Sequence, residues 1–359
     1  MSHIHNFNAG PAVLPAEVIQ QIQAELPNYQ QSGVSILESS HRSKEYEALN
    51  ARAMARIKRL LGLGDNHQIG FLQGGASHQF AMLPMNVLQP GRSGAYVLTG
   101  VWAEKAYEEA GRVGNAHIAA SSKADNYATL PAPSTWQVAP DAAYVHITSN
   151  NTIYGTQWAT LPTSSQPLVV DMSSDIGSRP IDASNIAMIY AGAQKNLGPA
   201  GVTVVAIHND FLAQMHTNVP TILRYQTHLA AQSLYNTPPV FSVYVLDLVL
   251  AWIEALGLDN LAARNAHKAQ LVYDVIDQSG GFYRGHSAVA ARSQMNVVFR
   301  LPDADLEKKF LATAQTNGMI GLAGHRIIGG LRASLYNALP VASAQALAQL
   351  MQEFQRTHG

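Results

Sequence analysis

Lys195 and Asp171 are the residues of this chain whose types and settings best suit them to chemistry. The apolar run 168–170 leads into Asp171, and the apolar run 186–190 ends shortly before Lys195. Most lysines are solvated surface charges. The flanks of this one, 186–194 and 197–207, hold no other charged residue, so it belongs in a cleft or in the interior. Desolvation lowers the pKa of an amine and makes it a better nucleophile toward a carbonyl. Asp171 taken alone reads equally well as a helix N-cap, because Ser173 and Ser174 follow it in a loop.

A scaffold must bring such residues together, and the sequence pattern supplies one. Short apolar runs at 68–72, 94–98, 116–120, 143–147, 168–171, 186–190 and 202–207 read as strands. Helical spacing of apolar residues is found from 15 or 16 to about 26, over 44–61, from the glycine turn at 73–77 through 88, and over 102–111. Strands alternating with helices predict an α/β fold with a mostly parallel, doubly wound sheet, buried on both faces. Residues 238–256 are apolar nearly all round, which suits a packed helix in a core or a subunit interface. A helix over 261–278 follows, then strands at 295–300 and 331–334 beside helices at 303–317 and 342–356. The expected division is a large domain, 16–259, and a small α+β domain made of 1–15 and 260–359.

Ligands of open α/β sheets bind at the carboxyl ends of the strands. The residues found there are Gly74-Gly75-Ala76-Ser77, Trp102, the hydroxyl cluster 148–152, Asp171 and Gln194-Lys195. Gly-Gly before a helix is often only a tight turn, and a lone tryptophan is usually packing. Together they are a phosphate-holding helix N-terminus, a stacking ring, a carboxylate and an amine. Those are the requirements of pyridoxal phosphate: Lys195 would hold the aldehyde as a Schiff base, and Asp171 would keep the pyridine nitrogen protonated.

Composition narrows the field. There are 23 basic and 24 acidic residues, without the basic excess of a nucleic-acid binder. The absence of cysteine removes disulfides and thiolate chemistry and fits a reducing cytoplasm. The opening residues lack the pattern of a secretory signal, and no apolar run is long enough for a membrane span. The fourteen histidines show no metal-binding spacing, so no metal is expected.

The stretches NFNAGPAVLP (6–15), SHRSKEY (40–46), FLQGGASHQF (71–80), YAGAQKNLGPAGVTVV (190–205), YNTPP (235–239), MNVVFR (295–300) and GHRIIGGLRASLYNA (324–338) resemble the phosphoserine aminotransferase family. That family lies in the class V aminotransferase group of fold-type I pyridoxal phosphate enzymes, and the resemblance runs from end to end. It implies a large domain with a seven-stranded type of sheet and transamination between phosphoserine and 2-oxoglutarate in serine biosynthesis. Some members share a second phosphorylated substrate from vitamin B6 synthesis. By the same resemblance Lys195 is catalytic, and Ala76 and Ser77 bind the cofactor phosphate. Trp102 stacks on the ring, Thr152 and Gln194 contact it or its 3′-oxygen, and Asp171 pairs with its nitrogen. Asn236 and Thr237 match the pair that reaches the cofactor phosphate of the other subunit, which implies a homodimer.

Arg332 matches the residue for the substrate α-carboxylate, a role a bidentate guanidinium suits. His41, Arg42, His325 and Arg326 match the anion site at the other end of the substrate, although either histidine could be structural. Some relatives carry arginine where Ser77 stands here. His78, or heavier reliance on Arg42 and Arg326, would have to compensate. Two alternatives stand beside this reading: another fold-type I aminotransferase acting on alanine or serine with glyoxylate, and a non-catalytic pyridoxal phosphate-binding protein.

Overall fold

Successive side chains of a strand point to opposite faces, and the central strands of this chain are apolar on both. Val145, Ile147, Val170, Ile189 and Val204 enter one core, with Leu49, Ala53 and Ile57 of helix Lys44–Leu60 and Val243 and Leu246 of helix Val240–Leu256. Tyr144, Val169, Met188, Tyr190 and Val205 enter a second core, with Phe80 and Leu83 of helix Gly75–Val87 and Ala103 and Ala106 of helix Val101–Val113. The result is a helix–sheet–helix sandwich. The computed structural model that shows it describes residues 4–359; the first three residues of the opening stretch lie outside the described residues.

The sheet has seven strands in the order His67–Leu72, Thr203–His208, Ile186–Gly192, Leu168–Asp171, Ala142–Thr148, Ser93–Leu98 and Asn115–Ser121. The last five are parallel to one another. Thr203–His208 runs antiparallel to both of its neighbours. The connection explains this. A parallel return needs a crossover, usually a helix, whereas residues 193–202 form a loop and Gly192 pairs directly with Thr203. Lys195 lies in that loop, so the reversal of the chain itself presents the lysine at the carboxyl edge of the sheet.

The C-terminal part builds a separate apolar core. Strands Arg284–Gly285, Asn296–Arg300 and Leu331–Ser334 form a three-stranded sheet. Phe299 and Leu331 from it pack with Phe310 of helix Ala304–Thr316 and with Leu347, Met351 and Phe354 of helix Val341–His358. His5–Asn6 pairs with Met319–Ile320, which ties the N-terminal segment to this part. That pairing and the hairpin of Asn150–Asn151 with Thr156–Gln157 escape a sequence reading, because two-residue strands carry no period.

Helix Val240–Leu256 interrupts its apolar surface with Asp247, which is buried and paired with Arg52 (2.6 Å) and Arg56 (2.5 Å) of helix Lys44–Leu60. Among the described residues no single helix is long and apolar enough to cross a membrane. Helices Val240–Leu256 and Leu258–Gln278 would reach that length only together, and they meet at 91°.

Candidate active site

The strand ends converge. A cavity of about 230 Å³ is lined by Gly74–Ser77, Trp102, Thr148, Thr152, Asp171, Gln194 and Lys195. This is the grouping expected from the sequence, drawn from five separate strand connections. Asn150, Ser173 and Ser174 complete the wall.

Lys195 Nζ donates to Thr152 Oγ1 at 2.8 Å. Burial pushes the amine down to about 8; the Asp171 carboxylate opposes that shift and the Arg332 guanidinium adds to it. The N-terminal loop closes over this lysine. Ala12 N–H donates to the Gln194 carbonyl at 2.9 Å, and a Cβ on Gly10 would lie 3.3 Å from Lys195 Cγ. Gly10 also has φ +138°, so only glycine suits this position. The opening stretch is thus a wall of the site, which its Gly-Pro sequence did not disclose.

Asp171 ends its strand, 4% exposed. Its Oδ1 accepts from the Ser173 N–H at 2.9 Å, so the capping role and the pocket-facing role coexist. Burial raises its pKa, with Ser173 and Lys195 opposing. No basic side chain forms an ion pair with it among the described residues. A buried carboxylate in that state lacks a cationic partner, and a protonated ring nitrogen would supply one.

Helix Gly75–Val87 begins directly at the cavity. The N–H groups of Gly75, Ala76 and Ser77 have no acceptor within the helix by position, and the helix dipole favours an anion there. Gly74, at φ +90°, makes the turn; a Cβ on it would meet the His78 side chain at 2.5 Å. Thr148 Oγ1 and Trp102 Nε1 are buried without partners among the described residues. A dianion cradle, a flat ring, a carboxylate and an amine therefore fit pyridoxal phosphate.

The expected anion-binding residues divide. Arg332 is half-buried; its Nη1 donates to the Thr152 carbonyl at 3.3 Å, and its Nε has no acceptor. It stands beside the cavity with donors to spare. His325 and Arg326 lie on the loop that packs Ile328 with Trp102 and Tyr154. Burial, then the charges of Arg332, Arg326 and Lys105, lower the His325 pKa. Both influences favour the neutral form of this histidine. Lys105, whose Nζ lies 4.7 Å from the Trp102 ring centroid, was not singled out from sequence. Its spacing of one helical turn from Trp102 was the available signal.

Other expected residues lie elsewhere. His41 and Arg42 do not line the cavity of their own chain; Arg42 is exposed, and His41 Nε2 is buried without a partner among the described residues. Asn236 lines a neighbouring cavity with His78 and donates to Gln73 Oε1 at 3.3 Å, and Thr237 lies outside the first cavity as well. His78 donates to the Gln73 carbonyl at 3.0 Å. It lines the neighbouring cavity rather than the one that holds Lys195.

A seven-stranded α/β sandwich with this set of groups at its strand ends defines a pyridoxal phosphate-dependent enzyme of fold type I. The profile of the class-V aminotransferases matches residues 4–347. The chain is 54% identical over 358 residues to the phosphoserine aminotransferase of Herpetosiphon aurantiacus, covering 99% of each, and 52% identical over 357 residues to that of Bacillus subtilis, again covering 99% of each. The solved phosphoserine aminotransferase of Bacillus circulans subsp. alkalophilus superposes with a TM-score of 0.97 at 52% identity, with 99% of each chain covered. The chain belongs to the class-V aminotransferase family, in its phosphoserine aminotransferase branch.

Proposed function

We propose that the protein exchanges the amino group between O-phospho-L-serine and 2-oxoglutarate, giving 3-phosphooxypyruvate and L-glutamate, in the cytoplasm as part of serine biosynthesis. The observation that carries the reading is the cavity that joins Lys195, Asp171 and the Gly75–Val87 N-terminus, with the unsaturated donors of Arg332 beside it. Bound pyridoxal phosphate supplies an electron sink for the substrate α-carbon. The chain does the rest. Gly75–Ser77 hold the phosphate, Trp102 backs the ring, Gln194 and Thr152 flank it, and Asp171 faces its nitrogen.

Lys195 Nζ, steered by Thr152, takes the proton from the α-carbon of the amino acid and, in the return half of the exchange, gives a proton to the α-carbon of the incoming oxo acid. A pKa near 8 keeps a minor but usable fraction of the amine neutral near pH 7 and most of it neutral above pH 8, where an ordinary lysine would still be protonated. Arg332 takes the α-carboxylate. His325 and Arg326, with His41 and Arg42 of the partner subunit, take the phosphate of phosphoserine or the second carboxylate of glutamate. Asn236 and Thr237 extend toward the neighbouring cofactor phosphate in a homodimer. The same phosphate site would admit 4-phosphohydroxy-L-threonine of vitamin B6 synthesis. The separate C-terminal core supports dividing the chain into units 16–259 and 1–15 with 260–359.

A substrate panel tests the reading. With 2-oxoglutarate, phosphoserine should turn over far faster than serine, alanine or aspartate, and Arg326→Ala should raise its KM without loosening the cofactor. Equal kcat/KM for alanine and phosphoserine would reject a dedicated phosphate site.

A further inference from the structure

Beneath the candidate cofactor site lies a group of buried titratable side chains that the chemistry above does not use. His146 is 1% exposed, and its Nε2 lies 2.8 Å from Tyr190 Oη. Its Nδ1 is buried and has no partner among the described residues. Burial pushes its pKa down to about 3, so the ring is neutral and carries one N–H.

The position of that hydrogen follows from the surroundings. On Nδ1 it would be a buried donor without an acceptor, at the full cost of desolvating that group. On Nε2 it donates to Tyr190 Oη, and the bare Nδ1 lone pair is the smaller loss. Tyr190 then cannot give its own hydrogen to His146. The nearby phenols are engaged elsewhere: Tyr144 with Tyr96 at 2.7 Å, and Tyr225 donating to Gln79 Oε1 at 2.7 Å. Of the charged groups that act on the Tyr190 phenol, the Asp171 carboxylate is the acceptor that faces it. Asp171 and Tyr190 are register partners on adjoining parallel strands. After burial, that carboxylate is the strongest influence holding the Tyr190 phenol protonated.

The geometry points to a directed hydrogen-bond chain, His146 Nε2–H to Tyr190 Oη–H to the Asp171 carboxylate, which positions Asp171 against the cofactor ring nitrogen. The ring of Tyr96, 5.0 Å from His146, and that of Tyr190, 5.9 Å away, hold the imidazole in place. One Asp171 oxygen accepts from the Ser173 N–H, and Tyr190 supplies a second donor from below. The carboxylate plane is thereby fixed, and its negative charge is favoured in a site whose burial disfavours it. Lys195 and Asp175 are the other charged groups that act on Asp171. His146 and Tyr190 are positioning residues, not catalytic ones. The inference rests on the reading that Asp171 faces the ring nitrogen, and not on the identity of the substrate.

The test uses the holoenzyme and the variants Tyr190→Phe, His146→Leu and His146→Gln. Four quantities are read: pyridoxal phosphate affinity, the pH midpoint of bound-cofactor absorption, kcat and KM for phosphoserine, and the melting temperature of the apo-protein. Tyr190→Phe should lower cofactor affinity and kcat about tenfold, the worth of one hydrogen bond to a charged group, and His146→Leu, which removes a neutral bond, about threefold, with KM little changed. The absorption midpoint should rise, because a less firmly held charge on the ring nitrogen resists a second proton on the chromophore less. His146→Gln, which keeps an N–H donor, should recover most of the loss. If Tyr190→Phe and His146→Leu change only the apo-protein melting temperature, or if Gln and Leu at position 146 behave alike, the chain is structural and the inference fails. Should phosphoserine not be turned over, affinity and absorption still decide, so failure of the substrate reading is distinguishable.

Discussion

Burial lowers the Lys195 amine to about 8, although the Asp171 carboxylate opposes the shift. That has a consequence for the apo-protein. Only the neutral amine attacks an aldehyde. Below pH 8 the folded chain keeps Lys195 mostly protonated, and above it the nucleophile is free. The rate of pyridoxal phosphate uptake by apo-protein should therefore climb with pH, reach half its plateau near 8 and level off above it. An ordinary lysine would go on rising to about 10.4. The measurement is cofactor absorption after stopped-flow mixing across pH 6.5–10.5, with Lys195→Ala as the control that removes the phase. A rise continuing past pH 10 would mean that the amine is not desolvated. Thr152 ties this residue to the substrate end of the site, because its hydroxyl accepts from Lys195 while its carbonyl accepts from Arg332.

At the scale of elements, the site depends on how helices Lys44–Leu60 and Val240–Leu256 grip one face of the sheet. Asp247 is 1% exposed within an otherwise apolar surface, and Arg52 and Arg56 both pair with it. Removing one member of a buried ion pair leaves the remaining charge without its compensation; here Arg52 loses its ion-pair partner, whereas Arg56 keeps Glu254 at 3.1 Å. Asp247→Ala should cost about 3 kcal/mol in denaturant unfolding, more than any exposed pair on the same helices. A loss below about 1 kcal/mol, the ceiling for exposed pairs, would show that solvent compensates the arginines. The sheet strands and the long helices were legible in the sequence because their apolar periods are local. The strand-end rule then located Gly75, Trp102, Asp171 and Lys195 in one cavity. The reversal at Thr203–His208, the Gly10 loop over Lys195 and the His146–Tyr190 contact were not legible. Each depends on register or on a contact between distant segments, which no window of sequence records.

For the whole molecule, the arrangement of arginines raises the question of what completes the site. Arg332 and the loop of His325 and Arg326 come from the C-terminal part of the same chain, beside Thr152 and Trp102. Arg42 is exposed, forms no ion pair among the described residues and stays outside the cavity of its own chain. A two-fold dimer repeats every cross-subunit contact in both directions. If Arg42 serves the partner's site, two inactive variants should rescue each other. In the proposed homodimer, co-expressed Lys195→Ala and Arg42→Ala chains would form mixed dimers in which one of the two sites has an intact Lys195 from one chain and an intact Arg42 from the other. Random pairing makes half of the dimers mixed, so about one quarter of the parental activity should return. If Arg42 instead served its own chain, every site in the mixture would lack one residue or the other, and the activity would stay at the level of the separate variants. Co-expressing Lys195→Ala with Arg332→Ala provides the contrast. Arg332 already stands at the site of its own chain, so that pair should give no rescue, and rescue there would overturn the assignment of Arg332 to the same chain's substrate.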